Sequence, residues 1–426
     1  IVSELEDYHK SIKRHYSFTK GYGIATGFSK LVKTYYLTLG KTELYNDITF
    51  INDKEITDTF LEKIDFILFI REFNIMDIFD KVKSIEKLYL TNQKRIKIGI
   101  KSDSINWIFT KKYIIEFPIK YNNVKWYNFV ENFFDILCVQ TEEMKRIDLE
   151  KIKKKLPSRY ESIKSKVFIS RMGVFHNNPL DKEIENPYKI DHSYCRDNFT
   201  KLNEDKALHP LCYTAINKKF SPEQGKNYNK KKHILIYMGR IRTNGGKIAY
   251  VMKDIMNSLG EDYELHIFPG RFNIPNSNVK IYSSKYPCNL QLLRDTIFYS
   301  CKNVIIHFPF DDKSKDKYLK HAEIAIDFSS RRPLNILCPP GNAKLLEYCY
   351  YGLKVVTEKN VNNSHLVING KNGITLENIA NFEEYVNAIK NLVNFNYDKK
   401  YTIQKTIKSN GWNYIAQEFL DYLLAI

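Results

Sequence analysis

No two of the seven cysteines form a CxxC pair; they stand scattered at 138, 195, 212, 288, 301, 338 and 349. That spacing excludes a zinc ribbon and disfavours a disulfide framework, leaving reduced, buried thiols. Proline (13) and glycine (17) are scarce, which excludes fibrous and low-complexity chains. No run approaches the roughly 18 apolar residues that a membrane span needs. The opening residues, IVSELEDYHK, lack the form of a signal peptide, and IVSE reads as the end of a strand. A cytoplasmic location is the expectation. The ten histidines form neither HxxxH nor HExxH, and His176, His307 and His321 stand isolated, so no zinc site is encoded. GxSxG is absent as well, which removes the hydrolase nucleophile elbow.

What is present is a chain of 426 residues, 43% hydrophobic, long enough for two cores. Its net charge is +17, from 66 basic and 49 acidic residues. Such a charge is compatible with an anionic partner: nucleic acid, an anionic membrane surface or a phosphorylated donor. The basic residues are scattered, with only KKKLP (153–157) and NKKKH (229–233) as clusters, and this favours compositional drift over a nucleic-acid footprint.

The pattern along the chain is α/β. DITFI (47–51), DFILFI (65–70), RIKIGI (95–100), DILCVQ (135–140) and KVFIS (166–170) predict strands. GFSKLVKTYYLTL (27–39), WYNFVENFF (126–134) and TEEMKRIDLEKIKKKL (141–156) predict helices between them. From about residue 176 to 231 the period fades into polar sequence, which reads as a linker or inserted loop. Alternation then resumes with strands at 233–239, 263–268, 278–282, 303–308, 323–328 and 353–358, and helices at 247–259, 289–300, 317–322 and 343–352. Residues 402–426 predict one long amphipathic helical segment. The division expected is 1–175, a linker 176–231, 232–402, and a C-terminal helix 403–426. Alternating strands and helices imply parallel sheets with ligands at the carboxyl ends of the strands.

Two constellations carry chemistry. In MGRIRTNGGK (238–247), a buried strand leads through two arginines, two glycines and a lysine into an amphipathic helix. Gly245 and Gly246 let backbone approach a ligand, helix-start amides favour an anion, and Arg240, Arg242 and Lys247 supply cations. A diphosphate fits; a solvated turn is the plain alternative. In PPGNAKLLEYCYYGLKVVTE (339–358), Glu347 sits inside an otherwise apolar helix that Asn342 caps and Gly352 ends. A buried carboxylate there needs donors, which ribose hydroxyls or a lysine can provide.

Together with EIAIDFSS (323–330) and SHLVINGKNGITL (364–376), these stretches resemble the GT-B-fold glycosyltransferases, in particular the group-1, mostly retaining, nucleotide-sugar-dependent class. The likeness spans 234–376. It implies two Rossmann-like domains facing across a cleft, with the C-terminal helix crossing back to the N-terminal domain. It implies a nucleotide diphosphate sugar as co-substrate, no metal or other cofactor, and a glycan, lipid or protein-linked acceptor. By the resemblance Arg240 and Lys247 hold the diphosphate and Glu347 the ribose. Arg242, Gly245, Gly246, Gly341, Asn342, Lys344 and Leu345 complete the donor-binding set on that side.

The family's second glutamate, eight residues earlier, is replaced here by Pro339, which leaves the sugar contact and the retaining assignment open. In the first half, GYGIATGF (21–28) reads as a glycine loop opening the helix SKLVKTYY, with Gly21 and Gly23 facing the donor; a loop without a ligand is the alternative. Asp103, ending RIKIGIKSD, is a base for the acceptor hydroxyl if the reaction inverts, or otherwise a helix cap. Arg71, Glu72 and Asn74 follow a strand and are further cleft candidates, and Gly173 marks the end of the first domain. Two other functions stay open: a DNA-modifying glucosyltransferase, and an inactive glycan-binding or scaffold protein on the same fold.

Overall fold

The computed structural model describes residues 2–6, 20–38, 41–70, 75–90, 96–102, 105, 126–181, 183, 186, 232–239, 248–268, 298, 301, 303–306, 312–328, 343–359, 365–377 and 379–426. They divide into two units, one running from Ile1–His176 with Ile407–Ile426, the other built from Asn177–Leu337 and Asn342–Thr406.

The first unit holds eight strands: β1 (Val2–Glu6), β2 (Thr34–Thr38), β3 (Glu43–Tyr45), β4 (Ile48–Asn52), β5 (Phe66–Ile70), β6 (Lys97–Lys101), β7 (Ile136–Val139) and β8 (Val167–Ile169). Their order is β3-β4-β2-β1-β5-β6-β7-β8. All pairs are parallel except β3 with β4, a hairpin whose turn residues Asn46 and Asp47 take φ of 49° and 64°. The helices are α1 (Lys20–Phe28), α2 (Asp58–Leu61), α3 (Ile75–Lys81), α4 (Lys83–Leu90), α5 (Trp126–Phe133), α6 (Glu142–Lys155) and α7 (Tyr160–Ser165).

Strand alternation sends Leu37, Ile67, Phe69, Ile98, Ile100 and Leu137 into a core shared with α3, α5 and α6. Their neighbours Tyr36, Leu68, Ile70, Ile136 and Cys138 enter a second core on the other face. Burial on both faces is why these strands read as continuous apolar runs rather than alternating ones.

In the second unit β9 (His233–Met238), β10 (Tyr263–Phe268), β11 (Val304–Ile306), β12 (Ile324–Asp327), β13 (Lys354–Glu358) and β14 (Gly373–Leu376) are ordered β11-β10-β9-β12-β13-β14, all parallel. Its helices are α8 (Ile248–Leu259), α9 (Asp312–His321), α10 (Ala343–Tyr350), α11 (Phe382–Val393) and α12 (Lys399–Asn410). Ile248, Met252, Ile255, Met256 and Leu259 line one face of α8, as the helical period predicts, and meet Tyr385 and Ile389 of α11 over the sheet. Gly352, at φ 63°, ends α10, and Leu353 N–H reaches back to the Tyr348 carbonyl. Among the described residues, no helix is long and apolar enough to cross a membrane.

Two expectations are corrected. The stretch 27–39 is not a helix: after a turn it becomes β2, because the Thr34–Thr38 run of aromatic and β-branched residues pairs between β1 and β4. The C-terminal segment is not one helix. Gly411 separates α12 from α13 (Trp412–Ala425), and there Val174 exchanges backbone hydrogen bonds with Asn410 and Trp412.

The helix α13 belongs to the first unit, where Trp412, Ile415, Ala416 and Phe419 pack with α1. Trp412 is the anchor. A Cβ at Gly23 would lie 2.3 Å from its indole, and one at Gly173 2.4 Å from it, so both glycines exist to admit the ring. This also corrects the glycine-loop reading of 21–28. Gly21 and Gly23 lie within α1, Gly21 is buried, and Gly23 serves helix packing. The predicted strand 278–282 and, apart from Phe298, the predicted helix 289–300 lie outside the described residues.

Candidate functional site

The strand β9 ends in Met238, and the chain leaves it through Gly239 at φ 131°, a backbone conformation that side chains disfavour. Arg240, Arg242, Gly245, Gly246 and Lys247 follow and lie outside the described residues, as do Asp103, Gly341, Asn342, Arg71, Glu72, Asn74 and His307. What the structure does place is the end of β9 and the α10 helix beside it.

Helix α10 packs on β12 and β13 and carries two groups, Lys344 and Tyr348, to the carboxyl end of the sheet. Lys344, in its first turn, lays its side chain against Gly239: a Cβ there would come within 2.9 Å of both Cδ and Nζ. Its Nζ stands 3.3 Å from Asp327 Oδ1, at the end of β12, and 5.0 Å from the centre of the Tyr237 ring. Asp327 is fully buried and accepts a hydrogen bond from Thr357 Oγ1 at 3.1 Å. Tyr348, one residue beyond Glu347, accepts the Met238 N–H at 2.7 Å, which ties α10 to the end of β9. Burial first, and the charges of Asp327 and Glu347 after it, hold the Tyr348 hydroxyl protonated far above the usual phenol range.

Glu347 itself is 7% exposed. Its position at the middle of α10, between the apolar Leu346 and Tyr348, confirms the buried carboxylate read from the sequence. Leu345 is fully buried, so its side chain belongs to the core and only its backbone amide is open to a ligand role. The sequence reading therefore brought Lys344 and Glu347 to one helix beside Gly239, and missed Asp327, Tyr237 and Tyr348. Asp327 had a signal: an acid closing the apolar strand EIAID has no place in a sheet core unless it is partnered.

Residues 365–376 form a turn that leads into β14 beside β13. Asn372 accepts the Ile368 N–H at 2.7 Å and donates to the Leu366 carbonyl at 2.7 Å, and Asn369 accepts the Thr375 N–H at 2.6 Å. These closures account for the asparagines of the INGKNG segment through backbone geometry alone.

No family model matches the sequence, and no curated protein matches it. Solved structures do. HepE from Anabaena, in complex with UDP and glucose, aligns with TM-score 0.54 at 10% identity over 100% of this chain and 99% of that one. The trehalose-6-phosphate synthase OtsA aligns with TM-score 0.57 at 10% identity, again over 100% and 99%. The fold is GT-B. An E. coli trehalose-6-phosphate structure bound with UDP-2-fluoro glucose aligns with TM-score 0.55 at 11% identity over the same shares. At such identities the likeness is one of fold. In this GT-B chain the two parallel sheets and the return of α13 to the first unit are the features shared with the architecture expected from the motifs.

Proposed function

We propose that the protein is a glycosyltransferase that moves a sugar from a nucleotide diphosphate sugar to a hydroxyl of a glycan, lipid or protein-linked acceptor, with retention at the sugar carbon. The observation that carries this reading is Lys344 lying against Gly239 at the carboxyl end of a parallel GT-B sheet, immediately before the Arg240–Lys247 segment, on the helix that also buries Glu347. Ligands of open α/β sheets bind at that end. The support from comparison is that HepE is known with UDP and glucose, and the E. coli structure with UDP-2-fluoro glucose.

In this reading Arg240 and Lys247 hold the diphosphate and Glu347 accepts from the ribose hydroxyls. Negative charge grows on the departing diphosphate as the glycosidic bond breaks, so fixed cations there favour the transition state more than the ground state. Side chains carry that charge without a metal, so a chelator leaves turnover unchanged. Asp103 becomes the acceptor base only in an inverting reaction, and its replacement by Asn would then abolish transfer. The net charge of +17 suits work in the cytoplasm at an anionic membrane surface.

A thermal-shift panel of nucleotides and nucleotide sugars tests the assignment. A bound nucleoside diphosphate raises the melting temperature by mass action, and Arg240→Ala removes the rise. Mass spectrometry of released UDP or GDP with candidate donors then separates an enzyme from an inactive protein of the same fold. Absence of any shift across the panel would overturn the proposal.

A further inference from the structure

Two charged side chains at the carboxyl end of the second sheet are left unexplained by the fold. Asp327 and the Nζ of Lys344 are buried 3.3 Å apart. Burying both ions sacrifices their hydration, and apolar residues of the same volume stabilise a fold as well or better. Stability is therefore a poor reason for the pair.

The ammonium is fixed in place without being saturated. It carries three N–H donors. Among the described residues none of them makes a hydrogen bond, and the contact with Asp327 is an ion pair only. The Tyr237 ring, 5.0 Å away, attracts a cation without accepting a directed hydrogen bond in the way an oxygen does. Thr357 holds the far oxygen of Asp327, so the carboxylate cannot rotate away. The lysine stem runs along Gly239, the residue that leads into Arg240. Here is a buried cation with unspent donors, held against the glycine that precedes the predicted diphosphate segment in sequence.

We infer that Asp327 is a positioning residue that holds Lys344 ready as a further cation for the diphosphate of the nucleotide sugar. The inference rests on the nucleotide-sugar reading of this site. Lys344 donates to a phosphate oxygen and keeps Asp327 as its second partner. Asp327 pairs with the lysine, accepts from Thr357, and acts through Lys344.

Calorimetric titration of the full chain with UDP and GDP, at two salt concentrations, tests this in Lys344→Met, Lys344→Arg, Asp327→Asn and the Lys344→Met/Asp327→Asn double variant. Loss of a charge-assisted hydrogen bond weakens the nucleotide that the wild type binds by about 10- to 100-fold in Lys344→Met, and the salt dependence becomes shallower. Lys344→Arg restores part of the affinity. Asp327→Asn weakens binding about tenfold alone and adds nothing in the Lys344→Met background, because its effect passes through the lysine.

Wild-type affinity in Lys344→Met overturns the inference. So does tighter binding in Asp327→Asn, or a full additional loss in the double variant. If Asp327→Asn does not fold, the contrast between Met and Arg at 344 decides. Loss of binding in Arg240→Ala with full binding in Lys344→Met defeats this inference alone. A wild type that takes no nucleoside diphosphate defeats the site reading with it.

Discussion

Among the described residues, each unit places a lysine ammonium out of solvent at the carboxyl end of its sheet, beside an aromatic ring, and the two lysines do different work. In the first unit Lys101 ends β6, is fully buried, and lies 5.9 Å from the Trp412 ring. Its ammonium donates to the Ser170 carbonyl at 2.6 Å, to the Ser170 hydroxyl, and to the Arg171 carbonyl at 3.2 Å. All three donors are spent on the protein. In the second unit Lys344 has an ion pair and a ring but no hydrogen bond among the described residues. Saturation separates them. Lys101 closes the end of β6 onto the segment after β8 and braces the seat of Trp412, whereas Lys344 keeps its donors for something else.

The largest effect expected is at the brace. Trp412→Ala empties a slot that Gly23 and Gly173 were shaped to leave, and costs about 3–5 kcal/mol, read as a fall in the urea midpoint of the first unit. Next, the comparison itself can be broken directly. Lys101→Met leaves the acceptors of Ser170 and Arg171 unfilled in the core, which costs about 2–4 kcal/mol, while nucleotide affinity of the folded protein is unchanged. The Lys344→Met/Asp327→Asn double variant does the reverse: stability moves by less than about 1 kcal/mol, since both members of an imperfect buried pair are lost together, and nucleotide affinity falls. If both variants lose the same property, donor saturation is no guide to role.

Titration sharpens the contrast. Burial, and to a smaller degree the charge of Arg171, pushes Lys101 down from 10.5 to about 8. The unfolded chain therefore binds more protons between those values, and stability rises with pH across that window. Lys101→Met removes this rise, as melting curves between pH 7.5 and 10.5 of the two proteins would show.

In the second unit Glu264 is also held below its ordinary value, for the opposite reason: its charged form is favoured rather than penalised. Burial works against its charge, but the His266 hydrogen bond and charge and the nearby Lys232 overcome it and hold the carboxyl at about 2, below its ordinary 4.5. Its contribution, about 3 kcal/mol, is full above pH 4.5 and is lost as pH falls toward 2. Glu264→Gln flattens acid unfolding, and an unchanged acid limb in that variant would remove Glu264 as the cause.

Much of the fold was legible. Strands such as DFILFI and LKVVTE are buried on both faces, so their apolar runs identify them without knowledge of their partners. The face of α8 followed from its period. The misreadings share one cause. The stretch 21–28 looks like a glycine loop because its small residues answer to Trp412, some 390 positions away in sequence, and no local pattern reports that. The stretch 34–38 has β-forming residues, but its assignment depends on β1 and β4 lying on either side.

At the site, Glu347 was legible because a carboxylate interrupts an apolar helical face. Asp327 signalled only that it needs a partner, because which partners it meets depends on Lys344 and Thr357, which come from α10 and β13. The linear order of residues fixed the elements that bury their own apolar faces, since hydrophobic period is a local property of the chain. Which lysine is saturated and which holds open donors was decided only when distant carbonyls, a carboxylate and two aromatic rings were folded around them, because hydrogen bonds are made by position in space.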